Sequence, residues 1–503
     1  RWYRYHHLFL ELLRHRLQQS LPDKLPVLHG RASAWFEAQN RLDEAIHHAL
    51  AAQDYERAAV LLEKYVSTST WIRQNMDQLL NWFAGLPAVL FSTRPRLALG
   101  YAWLLFEIYA DRWLDIETLL QQAEHALATP AIASRLREPE TRRLMAEVAL
   151  LRANHARFRG DTAQVIEHCR QALARLPEDE RFVRSGVTAH LAAAHESRGD
   201  LTQAADLYRE SIRMCKAANN ADGLLFAAAR LITIAPARGL LHQAESVFHQ
   251  VQALSPARTG PDMGMVYVAI GDVYREQNQV EMAQRCLAKG IELCRAFPAW
   301  RAGVAAGNLA LARLAAAQDD HSVALDCLAD AEQAVAASGP QEIARQIEAL
   351  RARLLLDQGH ISSAIAWGRA HQKDTMAAAA GAGTTVQLAE RLTLIRILLA
   401  QAVLAARGVR TAALVPDPLA TAAQLLADSY GVARAGGHQG TLIEIKLLQA
   451  QIDHAAAEME QALAAVEEAL ILAAPEGYVQ IFLDEEEPVR GLLTMLAIRA
   501  TGT

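Results

Sequence analysis

The chain has 503 residues, 52% of them hydrophobic and only 6% aromatic, with a formal net charge of −6. That apolar content is enough for a large core, and an Ala- and Leu-rich, aromatic-poor balance favours closely packed helices over a β-rich fold. The mild negative charge excludes the basic face that neutralises a run of nucleic-acid phosphates, and the most apolar stretch, Leu224–Ala235, is broken by Arg230 long before the roughly 20 residues a membrane span needs.

Nothing near the start has the pattern of a signal peptide. The five cysteines, Cys169, Cys215, Cys286, Cys294 and Cys327, are scattered and odd in number, without a CxxC pair. They read as reduced, mostly buried thiols, and a soluble, cytoplasmic protein is expected. The opening RWYRYHHLFLELLRHRL begins at Arg1 rather than Met and reads as the interior of a longer polypeptide.

Two hairpin-like segments follow in RLDEAIHHALAAQDYERAAVLLEKY. A regular block comes next. Aligned on the turn between paired helices, a small residue recurs at Val165, Ala204, Ala244, Ala283, Ala324 and Ala364, with spacings of 39, 40, 39, 41 and 40. Large apolar residues precede it (Leu191, Leu231, Ile270, Leu311) and follow it (Tyr208, Phe248, Leu287, Leu328) at fixed offsets. The small residue lets the second helix of a hairpin sit against the first, and the large ones fill the grooves between hairpins.

In MVYVAIGDVYREQNQVEMAQRCLAKG, Ile270, Gly271, Tyr274 and Ala283 resemble the tetratricopeptide signature, although the period is longer than the usual 34 residues. Gly160-Asp161, Gly199-Asp200 and Gly239 fall in the short turns, and Pro177 and Pro256 close their units. The expected fold is all-α, a right-handed superhelix of tetratricopeptide-like hairpins. Thr375–Thr385 and Gly408–Pro418 read as loops, the first mobile and the second a surface excursion, before a last hairpin-like region from AAQLLADSYGVARAGG to EMEQALAAVEEALILA. The carboxylate run Asp484–Glu487 reads as a solvated face.

No P-loop, GxSxG elbow, HExxH or dinucleotide fingerprint is present. His6-His7 and His47-His48 are adjacent pairs that point about 100° apart on a helix and cannot easily share a metal. A non-catalytic binding module is therefore expected, with no metal. The surface left for binding is the concave face, lined by outward positions of the first helix of each hairpin. Those positions hold Glu147, Asn154, Arg157, Glu196, Asp272, Arg275, Arg313 and Arg353. Guanidinium groups beside carboxylates suit a ligand rich in hydroxyls or the charges of a peptide. Trp300, just before a first helix, fits a hairpin joint.

The two ends carry a more particular resemblance. RWYRYHHLF followed by LHGRASAWFEAQNRLDEAIHHAL, and PEGYVQIFLDEEEPVRGLL near the C-terminus, resemble the central and terminal segments of MalT-type regulators, the large ATP-binding regulators of the LuxR family. The resemblance implies the end of a winged-helix-like segment at 1–28, a helical linker at 29–140, a sensor superhelix at 141–480, and a tail at 481–503 leading to a helix-turn-helix. It implies that this part senses a small-molecule inducer or regulatory protein and relays the signal to a switch domain of the same polypeptide, with possible self-association. ATP is expected only in that switch domain, so no cofactor is expected in this chain. A generic tetratricopeptide scaffold for protein partners is the alternative, and the terminal motifs weigh against it.

Overall fold

The computed structural model describes residues 13–501 apart from 14, 18, 21–22, 67–75, 109–111, 255–258, 298–299, 337–340, 378–382 and 486. Every regular element among the described residues is helical. The chain divides into two compact units, 1–155 with 171–177, and 156–170 with 178–503, a division inside the block expected to begin at 141. Most of the 1–28 segment, His6-His7 and Pro256 lie outside the described residues.

The first unit holds α1 (Lys24–Ala38), α2 (Leu42–Ala51), α3 (Tyr55–Val66), α4 (Met76–Ala84), α5 (Val89–Thr93), α6 (Pro95–Ile108), α7 (Trp113–Ala128), α8 (Pro130–Ala133) and most of α9 (Glu138–Phe158). Its core is built on Ile46, Leu62, Phe83, Leu97, Leu104 and Ile116. His48 does not pair with its neighbour His47 for any ligand; its Nδ1 lies 2.8 Å from His29 Nδ1, and its ring stacks on Phe36.

Helix α10 (Thr162–Arg175) is followed in the second unit by five hairpins, α11 (Arg181–Ser197) with α12 (Leu201–Ala217), α13 (Ala221–Arg238) with α14 (Leu241–Leu254), α15 (Pro261–Glu276) with α16 (Val280–Arg295), α17 (Arg301–Ala316) with α18 (His321–Val335), and α19 (Gln341–Asp357) with α20 (Ile361–Ala377). Then come α21 (Thr385–Ala406), α22 (Pro418–Gly436), α23 (Gln439–Ala455), α24 (Met459–Ala473), α25 (Gln480–Leu483) and α26 (Val489–Thr501).

The period has one backbone cause. Gly160, Gly199, Gly239, Asn278, Asp319 and Gly359 all have positive φ, between 59° and 79°. Each lies five residues before one of the six small markers, and all six markers are buried. A left-handed residue turns the chain back sharply, and five residues later the second helix has advanced far enough to press a methyl-sized side chain against the first. Asn and Asp tolerate that conformation because their short polar side chains bond locally, so this register survives where glycine does not. The same pairing recurs at Asn40 with Ala45, Gln53 with Ala58 and Ala457 with Ala462. Hairpin α15–α16 is tightly packed: a Cβ on Gly271 would stand 2.6 Å from Leu287 Cδ2, and one on Gly290 would stand 2.7 Å from the Gly264 carbonyl.

Of the loop expected at Thr375–Thr385, residues 378–382 lie outside the described residues. Helix α20 runs to Ala377, with buried Thr375 bonded through its hydroxyl to the His371 carbonyl at 2.5 Å, and Thr384 forms a capping box with Gln387 at the start of α21. Residues 408–417 do leave the helices, and Leu414 and Val415 fold back onto the core beneath. Trp300 caps α17, half-buried at the joint.

After α20 the chain returns across the earlier hairpins of its own unit. Buried His438 donates through Nε2 to the Gly199 carbonyl at 2.8 Å. Gly199, Gly383 and Gly436 meet so closely that a Cβ on Gly199 would overlap the Gly383 carbonyl, and one on Gly436 would overlap the Gly199 carbonyl. Helix α23 packs on α13, where a Cβ on Gly440 would overlap the Pro236 carbonyl. These glycines are the contact by which α21–α24 lie on the turns of α11–α14.

Candidate ligand-binding face

Of the eight residues singled out by the repeat register, Glu147 and Asn154 belong to the first unit. Glu147 pairs with Arg143 at 3.1 Å, and Asn154 is buried and donates to the Leu150 carbonyl at 3.2 Å. The other six lie in the second unit and fall into two groups of charge on the first helices of its hairpins.

The first group is centred on Glu196 of α11. Its carboxylate accepts from the Tyr208 hydroxyl at 2.7 Å and from Arg230 Nε of α13 at 3.2 Å. Desolvation, reinforced by the like charge of Arg230, lowers the pKa of Arg157 against Tyr208, Glu196 and Glu342, although part of its side chain reaches solvent. His190, six residues before Glu196 on α11, is half-buried and bonded to the Gly186 carbonyl; desolvation first, and Arg157 second, push its pKa down to about 4. It is therefore neutral at physiological pH.

The second group gathers five elements. Arg275 of α15 bonds through Nε to Asp272 at 2.9 Å and pairs with Glu276, and its Nη1 lies 3.7 Å from Asp484. Arg313 of α17 stands 3.4 Å from the same Asp272. Arg353 of α19 reaches both Glu444 of α23 and Glu485 at 3.9 Å. Arg396 of α21 bridges those two carboxylates, at 2.6 Å from Glu444 and in direct contact with Glu485.

Burial works to raise the pKa of Asp272, yet Arg275 and Arg313 bring it below the usual carboxylate range. Glu444 is lowered in the same way, against burial, by Arg396, Arg353 and Arg313. Glu276 goes the other way. Burial, with Asp272 and Asp484 adding to it against Arg275, lifts its pKa to about 7. Glu276 is the most buried of the three carboxylates around Arg275, so it is the one whose ionisation is most disfavoured.

Two readings are corrected by this arrangement. The face is not uniformly solvent-facing: Arg275 is only 5% exposed, whereas Arg313 is 33% exposed. Nor are Asp484 and Glu485 a solvated acidic run. Glu485 is 5% exposed, held by Arg396 and by Gln451 at 2.7 Å. The repeat register did not point to Arg230, which lies inside the regular block, and could not find Arg396, Glu444 and Glu485, because these three lie outside it. A signal was present for two of them: Arg230 interrupts the apolar run Leu224–Ala235, and Arg396 interrupts the largely apolar run Leu392–Leu399.

The face can therefore present partly open arginines (Arg230, Arg313, Arg353) above a layer of fully paired ones. Guanidinium forks and carboxylates in alternation can bond hydroxyls and charged groups in fixed geometry. Among the described residues no group of three or more His, Cys, Asp or Glu could hold a metal ion, and no helix is long and apolar enough to cross a membrane. All five cysteines are free, and burial raises the thiol pKa of Cys169 and Cys294 to about 12, well away from thiolate chemistry.

Compared with known families, residues 146–499 match the MalT-like TPR region. The chain belongs to that family. The MalT-like match covers the two charge groups and the returning helices alike. The chain is also similar to the HTH-type transcriptional regulator MalT of Yersinia pestis (strain Pestoides F), with 31% identity over 215 residues. That of Serratia proteamaculans (strain 568) is 30% identical over 215 residues. Each alignment takes in 43% of this chain and only 23% of the regulator. Among solved structures, yeast Tom70 aligns over 95% of this chain and 97% of its own, at 14% identity and a TM-score of 0.33. Human IFIT1 aligns over 90% and 95%, at 14% and 0.38.

Proposed function

We propose that this chain is the signal-sensing module of a transcriptional regulator, and that its second unit takes a polar effector on the inner face lined by Arg230, Arg313 and Arg353. The observation that carries the reading is the convergence of arginines and carboxylates from α15, α17, α19, α21 and α23 within a region matching the MalT-like family. A purely structural core would be expected to favour apolar contacts there, since buried ion pairs add little net stability. The effector, a polyhydroxylated or charged small molecule or a protein segment, would bias one arrangement of the hairpins. The relay to a switch domain that binds ATP, a LuxR-type DNA-binding end, and a cytoplasmic, non-catalytic role belong to the same proposal. A generic scaffold is the weaker reading, because residues 146–499 match the MalT-like region and the chain is similar to MalT-type transcriptional regulators.

The test is a thermal-shift screen of sugars, nucleotides, amino acids and short peptides, since a ligand that binds only the folded state raises the melting point by mass action. Arg313 is the most open of the second group, so Arg313→Gln should fold normally and abolish the shift of any true effector. A shift that Arg313→Gln leaves intact would move the site off this face, and shifts from protein segments alone would favour the scaffold.

A further inference from the structure

Residues 474–485 leave α24 and run across three hairpins of the second unit, touching them by side chains and helix ends. Glu476 Oε2 accepts from the His242 N–H at 3.1 Å, at the N-terminus of α14. The Tyr478 hydroxyl donates to the Pro236 carbonyl at 2.5 Å. That carbonyl is available because α13 ends there: the N–H of Leu240, four residues on, bonds to Ala235 instead. The Val479 N–H donates to the carbonyl of Glu276, the last residue of α15, at 3.0 Å. Asp484 and Glu485 then lie on Arg275, Arg353 and Arg396. Tyr478 and Phe482 point into the core, while Val479 and Leu483 are exposed on the outer side.

The arginine partners of this segment remain paired without it, and of the other donors the Gln451 amide and the His242 N–H turn to water. Arg275 keeps Asp272 and Glu276, Arg396 keeps Glu444, and Arg353 keeps Glu444 within 3.9 Å. The carbonyls of Pro236 and Glu276 stand at helix C-termini, where water can replace the lost donor. Release would thus uncover two aromatic side chains and free two carboxylates, and would leave no buried guanidinium unpaired. Both arrangements meet the requirement that buried charge be paired.

We propose that residues 476–485 form a detachable strap, locked by Tyr478, Asp484 and Glu485, whose release opens the inner-face arginines Arg275, Arg353 and Arg396 to solvent. The strap joins the ends of α13, α14 and α15, so docking fixes these hairpins relative to one another and release lets them adjust. This goes beyond the effector reading and is tested without an effector.

The experiment is hydrogen–deuterium exchange with mass spectrometry on the full chain, comparing the wild type with Asp484→Asn/Glu485→Gln and with Tyr478→Phe. In the double variant, amides of 476–485 should exchange at least tenfold faster, while those of Ala269–Tyr274 in α15 keep their wild-type protection. Tyr478→Phe keeps the ring and removes one hydrogen bond, so it should give a smaller rise with the same selectivity. If α15 accelerates as much as residues 476–485 in either variant, the segment is inseparable core and the proposal fails. Unchanged exchange of 476–485 in both variants overturns it equally.

Discussion

Arg391 and Arg396 lie five residues apart on α21, and both are nearly buried, yet their surroundings differ completely. Arg396 sits between Glu444 and Glu485. Arg391, 2% exposed, donates through Nε to the Thr375 carbonyl at 3.0 Å, while Nη1 and Nη2 have no partner; burial lowers its pKa, with Asp428 opposing. Breaking a buried pair by deleting one member costs about 3–5 kcal/mol, whereas replacing an uncompensated buried charge by an apolar side chain is neutral or favourable. Arg396→Met should therefore lower the urea midpoint of the second unit strongly, and Arg391→Met should leave it unchanged or raise it. The reverse order would show that Arg391 has charge partners the static geometry does not reveal. Steric demand is just as local at Gly271. A Cβ there meets Leu287, and overpacking of this kind costs about 1–3 kcal/mol, so Gly271→Ala should destabilise α15–α16 in the same assay without loss of helical circular dichroism.

At the scale of the element, the hairpin turn is the unit of information. Gly160 and Gly199 have almost the same φ, 71° and 79°, but a Cβ on Gly160 meets nothing within 4 Å and one on Gly199 overlaps the Gly383 carbonyl. Placing alanine in the left-handed region costs about 1–2 kcal/mol by itself. Gly160→Ala should show that loss alone in chemical denaturation, and Gly199→Ala should exceed it, the difference reporting the contact with the α20–α21 junction. Equal losses would mean that the junction yields.

This contrast also marks what the sequence could convey. The 39–41-residue spacing of small residues is a local pattern, so the hairpins and their buried methyl positions were legible from Val165 to Ala364. The same register put Glu196, Asp272, Arg275, Arg313 and Arg353 on first helices of the hairpins but could not tell whether they converge, and Glu196 stands in a separate charge group from the other four. Partners outside the block were not legible. Glu444 and Glu485 reach those arginines through a fold-back after α20 that leaves no periodic trace, and glycines such as Gly436 and Gly440 reveal their purpose only when the opposing carbonyls are seen.

At the largest scale, the second unit carries groups whose protonation pulls its stability in opposite directions. His438 is buried and neutral, with burial lowering its pKa, and His190 is lowered to about 4. Their contribution is complete above the unfolded value of about 6.5 and is lost as pH falls below it. Glu276 is raised from 4.5 to about 7, so the folded state holds its proton more tightly than the unfolded state does. Its stabilising effect is complete below about 4.5 and disappears as pH climbs through 7, where the carboxylate must ionise beside Asp272 and Asp484. Between about 4.5 and 6.5 the two effects oppose each other, and the net slope of stability with pH is flattened. Glu276→Gln keeps the neutral shape at every pH and isolates one side. Its melting temperature should exceed that of the wild type at pH 8, the advantage shrinking as pH falls and vanishing near pH 4.5. A constant offset between variant and wild type across that range would place the proton elsewhere in the Asp272–Glu276–Asp484 group. A variant less stable at pH 8 would mean that the negative charge of Glu276 is needed to hold Arg275.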